Sequence, residues 1–165
     1  PDVHLEYGNI FARQGRLDDA IGHYRQVLLS DPNHVIANTN LGQALSEKGQ
    51  PAAGLPYLQK AIEKDPNYPL AHFNLACSLE KLERFDESIG QIKKALALSP
   101  NDPQYHNKLG ELLARQGDTE HAIYQFRTAW ELAPNFLEAR RNLEAAVALR
   151  QARRNPASTR AMPKH

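Results

Sequence analysis

The chain has 165 residues, 24% of them charged and 41% apolar, with a formal net charge of +1. That balance is too apolar for a disordered chain, and no apolar run approaches the roughly 20 residues of a membrane-spanning helix. A single cysteine, Cys77, excludes an internal disulfide and a cysteine-built metal site. The small net charge hides an asymmetry: residues 1–136 carry 13 Lys+Arg against 17 Asp+Glu, a balance of −4, and residues 137–165 carry 7 against 2, a balance of +5. The sequence opens at Pro1 without a methionine and without a charged-then-apolar leader, which suits a processed form or a piece of something longer.

Taken in chain order, one phrase keeps returning: DPNHVIANTNLG at 31–42, DPNYPLAHFNLA at 65–76, SPNDPQYHNKLG at 99–110 and APNFLEARRNLE at 133–144. Pro32, Pro66, Pro100 and Pro134 are spaced by 34, so the chain divides into units 1–34, 35–68, 69–102 and 103–136. Within each unit a place number counts from its first residue. Place 8 is Gly8, Gly42, Ala76, Gly110; place 20 is Ala20, Gly54, Ser88, Ala122; place 24 is Tyr24, Leu58, Ile92, Phe126; place 27 is Val27, Ala61, Ala95, Ala129. Small and large residues at spacings of 3, 4 and 7 predict two amphipathic helices per unit.

Gly15, Gly49 and Gly117 sit where a first helix ends and a residue free to take positive φ is useful; unit 3 has Glu83 there instead. Asp18 and Asp86 stand near the start of second helices, where a carboxylate suits the unpaired N–H groups. In unit 2, Pro51 fits a helix start, and Pro56 is expected to remove a hydrogen bond or bend the second helix. After Pro134 one more helix is predicted over 137–153, a cap on the last apolar face, followed by a basic, flexible tail at 154–165. Helices of about 13 residues are marginal alone in water, so neighbouring units must bury what one pair leaves open.

The pattern resembles the tetratricopeptide repeat over four units and residues 1–136. The resemblance implies an all-α fold, a right-handed superhelical solenoid of antiparallel helix pairs, with first helices lining a concave groove. Place 4, often tryptophan in that family, is His4, Asn38, His72 and His106 here.

Chemistry is expected to be absent. There is no phosphate-cradling glycine loop, nucleophile elbow or paired-histidine zinc helix in the sequence, so no catalytic residue, no metal ligand and no cofactor is assigned. His72 and His106, at one place of adjacent units, are expected about 8–10 Å apart, too far for two ligands of one zinc. Cys77, at place 9, is expected to face the groove as a small hydrophobe.

The binding expectation rests on place 6, which reads Glu6, Asn40, Asn74, Lys108 and Asn142. An asparagine is a mediocre helix former, yet its amide offers an acceptor and two donors that suit a peptide backbone. An extended peptide rises roughly 3.1–3.3 Å per residue, so about three residues cover one repeat spacing. Asn40, Asn74 and Asn142 are similar to the asparagine ladder in the superhelix of O-GlcNAc transferase, which implies that they hold a peptide backbone; Lys108 interrupts the row. The expected groove comprises Asn9, Asn40, Gln43, Leu70, Phe73, Asn74, Lys108 and Asn142. Tetratricopeptide co-chaperones that grip an acidic tail share two asparagines with Asn9 and Asn40, but their cation places are Leu5, Leu70 and Asn74 here, which predicts against that clamp.

The expected function is a non-catalytic scaffold for a protein or peptide partner, without a small-molecule substrate. The alternative is the substrate-recruiting repeat region of a larger enzyme, such as a bacterial glycosyltransferase. The basic end lacks the aromatic interleaving of a nucleic-acid surface. Self-association through terminal helices is a further expectation, around Val3, Tyr7 and Ile10.

Overall fold

The computed structural model describes residues 2–155. They form nine α-helices and no strand: α1 Asp2–Arg13, α2 Leu17–Ser30, α3 Val35–Glu47, α4 Pro51–Lys64, α5 Pro69–Lys81, α6 Phe85–Leu98, α7 Pro103–Arg115, α8 Thr119–Leu132 and α9 Leu137–Arg154. The last helix runs one residue beyond the expected end, so Arg154 is helical rather than part of a tail. Residues 156–165, the rest of the expected tail, lie outside the described residues. The helices fall into two compact units, α1–α6 and α7–α9.

Local chemistry places the breaks. Gly15, Gly49 and Gly117 take φ of 72°, 85° and 83°. Glu83 is driven to φ 60° at the corresponding point between α5 and α6, a left-handed conformation that costs an L residue about 1–2 kcal/mol. The DPN phrase is a turn with its own acceptor: Asp31 and Asp65 each accept the N–H of the asparagine two residues on, both at 3.0 Å. Pro51, Pro69 and Pro103 each open a helix, where a missing N–H is harmless. Pro56 lies inside α4 and supplies no N–H to it, as expected, yet α4 continues past it as one helix. Pro56 is exposed, so its ring meets solvent rather than a packed neighbour.

Within pairs the helices approach closely at places 8, 20 and 24. A Cβ on Gly8 would lie 2.5 Å from the Tyr24 ring, one on Gly110 2.6 Å from the Phe126 ring, and one on Gly54 2.5 Å from the Gly42 carbonyl oxygen. In the third pair Ser88 instead donates to the Ala76 carbonyl at 2.7 Å, keeping the close approach without glycine. The α1–α6 unit has its cores around Ala20, Tyr24, Leu41 and Leu45 and around Leu58, Leu75 and Leu79. In the α7–α9 unit, Ala122, Ile123 and Phe126 pack with Ala146, Leu143 and Val147 of α9, so α9 covers α8.

Place 4 is structural. The Nε2 of His72 meets the Pro66 carbonyl at 3.0 Å and its Nδ1 the Gln91 amide at 2.8 Å. His106 repeats the arrangement with Pro100 and Gln125 at 2.8 and 2.7 Å. The carbonyl fixes Nε2 as the N–H, so each ring ties the turn that precedes its helix to the second helix of its pair.

Candidate functional site

In the α1–α6 unit the first helices α1, α3 and α5 stand side by side, and places 6 and 9 face one another across neighbouring helices. Asn40 Nδ2 donates to Asn9 Oδ1 at 2.8 Å, and Asn74 Nδ2 donates to Gln43 Oε1 at 3.2 Å. Both bonds join residues 31 apart, that is, place 6 of one unit to place 9 of the unit before. Each rung is extended by a second donor or acceptor. Tyr24 Oη donates to the same Asn9 oxygen at 2.9 Å, and Gln43 Nε2 donates to Glu47 at 2.8 Å. Burial pushes the Tyr24 phenol above its ordinary value, with hydrogen bonding opposing it, so the hydroxyl is a donor at neutral pH.

In the α7–α9 unit the same register carries charge. Asn142 Nδ2 donates to Asn107 at 3.0 Å and to Glu111 at 3.4 Å, Asn107 donates to Glu111 at 2.9 Å, and Lys108 reaches the other Glu111 oxygen at 2.5 Å. One carboxylate therefore gathers three donors.

These bonds change what the expected groove residues are. The asparagines do not stand free for a guest: each spends one N–H on its neighbour, and Asn74 is only 5% exposed. Asn9, Asn40, Gln43, Lys108 and Asn142 are half-buried, as are Leu70 and Phe73 on α5. None of the three asparagine amides is among the buried groups lacking a partner. A fixed amide keeps one orientation, which removes rotamer entropy that a ligand would otherwise have to overcome. Cys77 is half-buried on α5 and forms no disulfide.

Each unit also holds a cavity of about 310 Å³ beside its rungs. That of the first unit brings together Asn9, Asn40 and Gln43 with Ile36, Tyr68 and Leu70, and Arg13 and Glu47 lie at its edge. That of the second is more apolar, with Phe126, Ala146 and Leu149 against Glu111, Arg115 and Asn142. The structure brings Asn9, Asn40, Gln43 and Leu70 of the expected groove beside one cavity, together with Tyr24, Ile36 and Tyr68, which the sequence reading did not include. A signal for Tyr24 existed: place 24 is otherwise Leu58, Ile92 and Phe126, so its hydroxyl is the one polar atom in an apolar column. Among the described residues no helix is long and apolar enough to cross a membrane.

Comparison with known proteins places this geometry. Two tetratricopeptide repeat models match, over residues 5–69 and 45–112. The fold is similar to that of MamA, at 25% identity over 88% of this chain and 85% of that chain with a TM-score of 0.78. A second MamA structure, of AMB-1, shares 30% identity over 81% of this chain and 73% of that one, with a TM-score of 0.65. YrrB, described as a tetratricopeptide repeat protein with an unusual peptide-binding site, is 23% identical over 82% of this chain and 70% of its own, with a TM-score of 0.71. No curated protein sequence matches.

Proposed function

This chain belongs to the tetratricopeptide repeat family, and we propose that it is a non-catalytic module that binds an extended peptide segment of a protein partner on its first helices. The observation that carries this reading is the Tyr24–Asn9–Asn40 chain beside a cavity walled by Ile36, Tyr68 and Leu70. Polar groups held at fixed angles next to an apolar recess suit a peptide, whose backbone is polar at every residue and whose side chains alternate in direction. Asn40 offers its remaining amide atoms to the backbone; Leu70 and Ile36 receive an apolar side chain. Arg13 and Glu47 at the rim favour partners with a charge near that side chain. Asn74, buried in its rung, positions Gln43 rather than touching the guest. In the other unit Asn142 and Lys108 are set by Glu111 beside the more apolar recess, which favours a large hydrophobic side chain. The likeness to YrrB is one of fold, and that fold accommodates peptide binding in that protein.

The deciding experiment is binding to a peptide array with wild type, Asn40→Ala and Leu70→Asp. Selected peptides are expected to lose about tenfold or more in affinity with either variant, a loss of about 1.4 kcal/mol. Equal binding by all three proteins rejects the face as the site.

A further inference from the structure

The joint between α1 and α2 differs in chemistry from its counterparts along the chain. In the third and fourth pairs, place 4 is a histidine and place 23 a glutamine: His72 Nδ1 meets Gln91, and His106 Nδ1 meets Gln125, at 2.8 and 2.7 Å. An amide carries an acceptor and two donors, so it can turn to meet an imidazole nitrogen whether that nitrogen is bare or protonated. In the second pair place 4 is Asn38, bonded to the Pro32 and His34 carbonyls. In the first pair both places are imidazoles. His4 Nδ1 lies 2.9 Å from His23 Nδ1, and the ring centroids are 5.2 Å apart. That separation is near the greatest that such a contact allows, so the two nitrogens point at each other. One must donate and the other accept, and the contact holds a single hydrogen.

We propose that this bond is an acid-labile latch holding α1 to α2, and that its opening weakens peptide binding at the first unit's cavity; the second half rests on the peptide-binding role proposed above. While both rings are neutral, or only one is charged, an Nδ1–H bridges to a bare Nδ1, and in the second case the bond is charge-assisted. With both rings charged, two N–H groups of like charge face each other and the bond is lost. The latched pair therefore takes up at most one proton and the opened pair two, so stability falls as pH falls. His4 is exposed and His23 half-buried, so both are within reach of solvent. Around them, His23 meets the Tyr7 ring at 5.4 Å and the Phe11 ring at 5.3 Å, both from α1. Phe11 also carries the Arg16 guanidinium 4.3 Å from its centre. Asp19, one turn before His23 on α2, is ion-paired to Arg16 at 2.7 Å, so its charge is already engaged. Among the described residues no charged group of α3 contacts either ring. The link to the site runs through α1, which supplies Asn9 to the Tyr24–Asn9–Asn40 chain and Ala12 and Arg13 to the cavity.

Amide hydrogen exchange on the whole chain, read as protection factors from about pH 8 to about pH 5, spans the range in which imidazoles take up protons. Protection in α1 is expected to fall by about fivefold or more across it, the effect of losing one hydrogen bond. Protection in α5 and α7, whose joints are His72–Gln91 and His106–Gln125, is expected to stay level. His23→Gln installs the residue of those joints and is expected to keep α1 protected at both ends of the range. Affinity for peptides selected on the array is expected to fall about as far in wild type and to stay level in His23→Gln. Level α1 protection in wild type overturns the latch, as does a fall shared equally by α5 and α7 or by His23→Gln. A fall confined to wild-type α1 with unchanged peptide affinity upholds the latch and overturns its link to the site. Should Asn40→Ala and Leu70→Asp bind peptides as wild type does, the binding role fails and the link with it, while the exchange result still decides the latch.

Discussion

The seam between the two helices of a pair and the face presented by the first helices come from the same 34-residue text, yet they obey opposite rules. Along the seam, side chains vanish: Gly42 and Gly54 meet backbone to backbone, and Gly8 and Gly110 lie under aromatic rings. On the face, side chains are polar and tied to each other across neighbouring helices, as in Asn40–Asn9 and Asn74–Gln43. Steric room decides the first and donor–acceptor matching the second. Seam substitutions should therefore act on folding, and face substitutions chiefly on binding.

The largest effect is expected at the seam. Gly54→Ala sets a Cβ 2.5 Å from the Gly42 carbonyl oxygen, so two backbones must part, at about 3 kcal/mol, the upper end of overpacking costs. Thermal unfolding should then fall by about 6–12 °C for a chain of this size. Gly90→Ala, in a helix where the added Cβ meets nothing within 4 Å, should instead raise stability by about 0.5–1 kcal/mol. Equal behaviour of the two variants would break the steric half of the comparison.

Next comes the turn that ends the third pair's first helix. Glu83→Gly relieves a φ of 60° and should stabilise by about 1 kcal/mol in urea unfolding, whereas Gly49→Ala, at φ 85°, should destabilise by about as much. Asn40→Ala on the face removes one hydrogen bond and should lower stability by only about 1 kcal/mol while costing the tenfold peptide affinity given above; a variant that unfolds the chain as severely as Gly54→Ala would put Asn40 in the seam's category.

The smallest effect is in alkali. Tyr24 has its pKa raised above 10.0, mainly by burial, so the folded state holds that proton more firmly than the unfolded state. The associated stability is fully present below the unfolded pKa and is lost as pH rises through the folded one. Wild-type stability should therefore decline above about pH 10, and Tyr24→Phe should flatten its own share of that decline while costing about 1 kcal/mol at neutral pH for the Asn9 bond. An unchanged alkaline slope in Tyr24→Phe would remove the phenol from the account.

Much of this was legible in the residues. The prolines at 34-residue intervals gave the pairing of helices, and Gly15, Gly49 and Gly117 marked turns that do take positive φ. The candidate site was legible only in part. Asn40 and Asn74 stood out because asparagine is odd at that place in a helix, but a single chain pattern has no term for what place 9 of the preceding unit will do to them. Pro56 marks a limit of another kind: the missing N–H follows from the residue type, but that α4 continues past it as one helix is seen only in the structure.

What the sequence determined by itself is everything governed by near neighbours along the chain: where helices begin and end, which stripe of each is apolar, and that pairs must stack. Only the tertiary structure decided that place 6 bonds to place 9 across 31 residues, that Tyr24 belongs to the face as well as the core, and that Glu83 is forced into a glycine's conformation. The reason is one of range. Periodicity and backbone sterics act within a turn or two, whereas the rotation of one helix against the next is set by how whole rows of side chains interlock, and that phase determines which polar atoms meet.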